Sequence, residues 1–239
     1  MPDSPKNLDP DRLPDGGPIY VETPADPESF PGLVAEPWNT VTAAFFIVIP
    51  LIWLWALRGR YRNYPFLICC LPILLTGGIG GTLFHGLRQY RAFFLMDVVP
   101  IYLLGLIVAV YLWIRLGPRL IYLLGMIAFL AFLQLVARYQ LPMQWMINVS
   151  YASLAMIVLI PIVLVLLRTR FHHGEWIYTA LAWVCRIVDK ERPPLLPMGT
   201  HWLWHTFGAA TTAAVIMYVY RIEGVPLRKL AGERSEPGA

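Results

Sequence analysis

The chain has 239 residues, of which 57% are hydrophobic and only 14% charged, against about a quarter charged in ordinary soluble domains. That composition excludes a soluble globular domain and leaves an integral membrane protein. The net charge of +4 is a matter of where the arginines sit along the chain, and it speaks for membrane orientation, not for a nucleic-acid partner.

Residues 1–35 form a first region of their own. Pro, Asp and Gly dominate it without periodicity, so it reads as an irregular acidic extramembrane tail. It lacks the basic start and short apolar core of a cleavable signal peptide, which leaves insertion to the first span. The stretch MPDSPKNLDPDRLPDGGP is expected to do no more than keep the tail soluble.

From residue 36 to residue 221 the pattern predicts an all-α bundle of seven transmembrane helices, followed by a cytoplasmic tail over 222–239. A spanning helix needs roughly 20 apolar residues, and such stretches fall at about 38–57, 65–87, 92–114, 120–138, 144–167, 174–189 and 200–220. The sixth is short and carries Arg186 and Asp189 near its end, where long polar side chains can reach the interface. Cys69, Cys70 and Cys185 all lie within spans and show neither a disulfide framework nor a CxxC pattern. Arginines and lysines gather after spans one, three and five and in the C-terminal tail, which puts the N-terminus outside and the C-terminus in the cytoplasm.

Ionisable groups within spans are costly and mark function by default. Between Pro37 and Gly174 there is one carboxylate, Asp97, early in span three (FFLMDVVPIYLL). Three histidines also lie in spans: His85 near the end of span two, and His201 and His205 at the start of span seven (HWLWH). The remaining pair, His172 and His173, sits beside Arg168 and Arg170 in a loop and reads as solvated. With seven spans, the end of two and the starts of three and seven share the outer side, as does Glu36 at the mouth of span one. Residues i and i+4 lie on one helix face, so His201 and His205 can reach one ion, with His85 as a third ligand. Three protein ligands and an open position are the arrangement of a catalytic zinc site. Asp97 is then either a fourth ligand or a base acting on water there. Haem held between facing histidines is the alternative metal reading, although it leaves Asp97 and the third histidine without a role. The lysines are Lys6, Lys190 and Lys229 only, so no span offers an amine for a retinal Schiff base. The glycines of TGGIGG (76–81) read as a close helix approach.

Taken in order, Tyr20-Val21-Glu22, AEPWNT (35–40), GGTLFH (80–85), Asp97 and HWLWH (201–205) resemble the alkaline ceramidases. These belong to a superfamily of membrane hydrolases that also holds GPI-remodelling phospholipases and adiponectin-type receptors. The resemblance implies zinc on His85, His201 and His205, with Asp97 acting on the water there. It also implies a calcium site joining the tail to span one, through Glu22 and Glu36, with Tyr20 offering its carbonyl and Asp26 a carboxylate. The chain departs from the family pattern in lacking an aspartate at Ile19 and in carrying Gly81 where a serine is expected. Asp97 also lies one residue further from His85 than the pattern has it. Thr82 is the neighbouring hydroxyl, about 100° around the helix.

The activity expected from this resemblance is zinc-dependent hydrolysis of the N-acyl bond of ceramide or a related lipid, giving fatty acid and a long-chain amine. Asp97 is the expected base, Tyr151 a donor to the developing oxyanion, and Trp202 and Trp204 the lining of the acyl pocket or the interfacial belt. Two alternatives stand beside it: a non-catalytic zinc-containing lipid receptor, and an acyl-ester hydrolase on the same scaffold. Lipid is the expected partner, and the sequence does not speak to oligomeric state.

Overall fold

A computed structural model describes residues 13, 15–24, 34–116, 120–142, 145–146, 148–153, 155–157, 159–160, 176–189 and 196–224. Among these the chain is a helical bundle. Its elements are α1 (Pro37–Ala43), α2 (Phe45–Ala56), a 3-10 turn (Tyr61–Asn63), α3 (Pro65–Leu87), α4 (Arg91–Leu116), α5 (Leu120–Gln140), the helical residues described within 145–160 (α6), α7 (Trp176–Val188) and α8 (His201–Glu223). Asp26, the loop histidines His172 and His173, the second half of the expected fifth span and the tail after Gly224 lie outside the described residues.

Among the described residues three helices are long and apolar enough to cross a membrane: Pro37–Ala56, Pro65–Leu87 and Arg91–Arg115. Each carries large apolar side chains on its outer surface. Trp55 and Ile114 are 65% and 63% exposed, as are Ile121 and Phe132 of α5 at 66% and 60%, which suits a lipid surround and not water. Helix α5 contributes a shorter apolar stretch, Leu124–Gln140. Helix α8 has the length of a span, but its histidines and threonines dilute its apolar character. The thirteen residues of α7 rise about 20 Å, short of the roughly 30 Å hydrocarbon core.

Helix α3 is the central element, in contact with α1, α2, α4 and α8. Its glycines set how close those neighbours come. A Cβ at Gly78 would lie 2.5 Å from the backbone carbon of Phe46 in α2, and one at Gly80 would collide with the backbone of Met96 in α4. Backbone therefore meets backbone on two sides of α3, the small-residue packing that membrane helices favour. Pro50 leaves the Phe46 carbonyl without its usual N–H donor four residues on, and that carbonyl lies over Gly78. The first span is divided at Ala44, a single turn residue between α1 and α2.

One end of the bundle is an apolar core of Leu57, Leu67, Leu71, Leu74, Ile216 and Val219. Glu223, at the end of α8, ties it off by accepting the N–H groups of Phe66 (2.7 Å) and Leu67 (3.2 Å) in the first turn of α3. The opposite end holds the polar groups.

Candidate metal centre

The starts of α1, α4 and α8 and the end of α3 meet at that opposite end, and each brings polar residues. His85, His201 and His205 are all buried, and their ligating nitrogens lie within 4.8 Å of one another. His201 and His205 are one turn apart on α8, and His85 comes from the last turn of α3. The spacing argument from the sequence is thereby met: these three side chains form one group.

Their neighbours prepare them for an ion. His85 Nδ1 lies 2.5 Å from Glu36 Oε2. A carboxylate can only accept, so His85 carries its proton on Nδ1, which leaves the Nε2 lone pair free. That Nε2 is buried without a hydrogen-bond partner. His205 Nδ1 lies 3.1 Å from the Asn39 carbonyl, which again fixes the proton on Nδ1 and leaves Nε2 as the ligand atom. Thr42 Oγ1 sits 3.2 Å from the same Nδ1 while donating its own proton to the Trp38 carbonyl. Metal-binding histidines hold their tautomer in this way, through a carboxylate or a carbonyl on the second ring nitrogen. His201 Nδ1 is likewise buried and unpartnered. A buried nitrogen left unmatched costs about 1–3 kcal/mol, and an ion bound by the three rings would remove that cost. The residues fit a divalent metal.

Haem does not fit. The three imidazole centroids lie 4.7, 4.8 and 5.4 Å apart, and the Tyr20 ring stacks on His201 at 3.7 Å. No plane between facing helices is left for a porphyrin.

Asp97 is not part of the ligating group, and it approaches α3 one turn before His85. Its Oδ1 lies over Gly81: a Cβ at that position would be 2.7 Å from it. The carboxylate of Asp97 fills the space that a side chain at 81 would need. Thr82, the hydroxyl next to Gly81, is turned into its own helix, where its Oγ1 donates to the Gly78 carbonyl (2.8 Å). Tyr151, in α6, is buried among Tyr102, Trp204 and Arg186.

The tail is more than a solubilising leader. Asp15 is fully buried and pairs with Arg88 Nε at 2.9 Å. The same guanidinium reaches Glu36 Oε1 at 3.0 Å and the Pro18 carbonyl at 3.0 Å. Arg88 caps α3 in the left-handed conformation, φ 51°, which an L residue adopts at a cost of about 1–2 kcal/mol. That turn directs its side chain back into the tail. Burial works against a charge on Glu36, but the His85 imidazole and the Arg88 guanidinium outweigh it and hold its carboxyl below the usual carboxylate range. Burial raises the Tyr20 phenol, with Arg186 and Arg88 opposing, so Tyr20 stays protonated.

Glu22 and Glu36 are thus used differently from the expected calcium site. Glu22 accepts the N–H groups of Trp38 (2.7 Å) and Asn39 (3.0 Å), capping α1. Glu36 is taken up by His85, Arg88, Thr23 and Asn39. The Tyr20 carbonyl accepts the Thr23 N–H at 3.1 Å. Calcium needs six to eight oxygens, and here the cation among these acids is a guanidinium. Among the described residues, which leave out Asp26, the set does not fit calcium.

Two residues expected to reach the interface turn inward instead. Asp189 is buried and accepts the N–H groups of Thr200 (2.6 Å) and His201 (2.8 Å), holding the first turn of α8. Arg186 lies over the rings of Tyr151 (4.5 Å) and Trp204 (5.2 Å). Asp15, Arg88 and Asn39 carry no signal of this role in the sequence. For Asp189 and Arg186 a signal was present, since both are charges next to an apolar helix. Comparison of the chain with protein-family models, with curated proteins and with solved structures finds no match, so the reading of this centre rests on its geometry and on the motifs that compose it.

Proposed function

We propose that the chain is a zinc-dependent membrane amidase of the alkaline ceramidase type, cleaving the N-acyl bond of ceramide or a related lipid. In this reading seven helices span the bilayer with the N-terminus outside, and the metal centre lies towards the non-cytoplasmic side. The observation that carries it is the buried group His85, His201 and His205, with tautomers fixed by Glu36 and Asn39 and with a carboxylate, Asp97, that is not part of the group and approaches α3 one turn before His85. Zinc bound there would supply a Lewis acid and lower the pKa of water to about 7.

The chain's own residues do the rest. His85 and His205 present Nε2, and His201 completes the set. Asp97 accepts a proton from the attacking water and returns it to the nitrogen of the leaving amine, the work of a general acid and base. Tyr20, stacked over His201, and the Trp38–Trp202 pair at 5.7 Å keep bulk water from one flank. Glu36 holds His85, and Arg88 holds Glu36. Calcium has no part in this scheme.

The test is release of fatty acid, followed by mass spectrometry, from N-acyl sphingoid lipids and from acyl-ester lipids, using purified protein with and without chelator. Chelator-sensitive release from the amide lipids supports the proposal. Release from esters alone replaces it with an ester hydrolase. Zinc-loaded protein that binds lipid and releases nothing makes it a receptor, for which the lack of a hydroxyl at Gly81 would be the reason.

A further inference from the structure

Among the described residues, Arg186 makes no ion pair. It lies in α7, one turn before Asp189, whose carboxylate holds the His201 backbone. Its guanidinium is half-buried between the Tyr151 and Trp204 rings, and Trp204 adjoins the ligand His205. Its Nε is buried with no hydrogen-bond partner, and none of the ion pairs among the described residues involves it. Trp204 is the residue before His205 on α8, so the guanidinium over its ring lies beside the metal centre. Stacking on aromatic faces offsets part of the cost of taking a guanidinium out of water, but it supplies no acceptor to the buried Nε–H of its planar N–H fork. That fork matches a carboxylate in two parallel hydrogen bonds. A neutral lipid such as ceramide offers single hydroxyl and carbonyl acceptors but no charged, two-oxygen partner for the fork.

We propose that Arg186 anchors a carboxylate next to the metal centre, so that the lipids bound there are long-chain molecules bearing a carboxylate close to the acyl bond. The inference rests on the hydrolase reading only for where the acyl group lies; the anchoring itself does not need turnover. The carboxylate could belong to an N-acyl amino acid as substrate or to the fatty acid as product. The guanidinium recognises both by the same chemistry, and the experiment separates them.

The full-length protein in detergent is titrated with palmitate and with palmitamide, which share a chain and differ in charge. In the parent, palmitate binds about ten- to a hundredfold more tightly, the worth of a charge-assisted hydrogen bond. In Arg186→Gln that ratio falls towards one. Should the Gln variant not be monodisperse, Arg186→Lys takes its place and shows a reduced ratio. No preference for palmitate in the parent, or an unchanged preference in the variant, overturns the proposal. A second arm compares hydrolysis of N-palmitoylglycine with that of N-palmitoylglycinamide. A lower KM for the acid that is lost in the variant identifies the head group as the anchored carboxylate. Equal KM values with the binding preference intact identify the fatty acid. Absence of hydrolysis in every case would end the amidase reading while leaving the binding result standing.

Discussion

Replacing Asp97 by Asn separates chemistry from assembly at this centre. The amide fills the same space over Gly81 but cannot take a proton, so Asp97→Asn should keep its metal and lose about 10²–10⁴-fold in turnover. Equal hydrolysis rates in parent and variant would remove Asp97 from the mechanism. Gly81→Ser tests the same carboxylate from the other side. The new Cβ would stand 2.7 Å from Asp97 Oδ1, and a misplacement of about 1 Å can cost up to about 10²-fold. Lower kcat at unchanged metal content is the expected outcome; an unaltered kcat would show that Asp97 has room to move without consequence. Glu36→Gln addresses the hold on His85, and a loss of about 10–100-fold in metal affinity is expected, as for other partners of metal-bound histidines. Titration against a competing chelator reads it directly.

Among the elements, the tail and α3 depend on one another through Arg88. Removing the guanidinium leaves Asp15 and Glu36 as buried acids without a counter-charge, and breaking a buried pair in that way costs about 3–5 kcal/mol. Arg88→Met should therefore lower the melting temperature and open residues 13–24 to protease, while Arg221→Met, at the far end of α8, leaves the tail protected. Equal protection in the two variants would mean that the tail is held by something else. This is also where the sequence was hardest to read. Helix positions follow from long apolar runs, and the i, i+4 spacing of His201 and His205 places both on one face, so α3, α4 and α8 and the three ligands were legible. Asp15 and Arg88 are 73 residues apart and each looks like an ordinary surface charge. Only tertiary structure, with Arg88 in a left-handed cap, brings them together. Asp189 was misjudged for a related reason: a charge at a helix end reaches the interface when nothing else is near, but here the free N–H groups at the start of α8 are its partners.

At the scale of the molecule, one end of the bundle is closed by leucines and Glu223, and the other gathers most of the buried polar groups among the described residues. That polarity is what a buried reaction centre in a membrane requires, since ionisable side chains there must face one another and not lipid. If seven helices span the bilayer, a tag on the C-terminus is reached only after the membrane is permeabilised from outside, and a tag before Asp15 is reached without it. Both tags on one side would contradict the odd number of spans. The central claim is simpler than topology: α3 and α8 hold a single metal ion between them. Metal analysis of the purified parent and of two variants tests it most directly. One equivalent of zinc per chain in the parent and in Asp97→Asn, with none in His205→Ala, is the predicted result; metal content that is the same in His205→Ala as in the parent would contradict it.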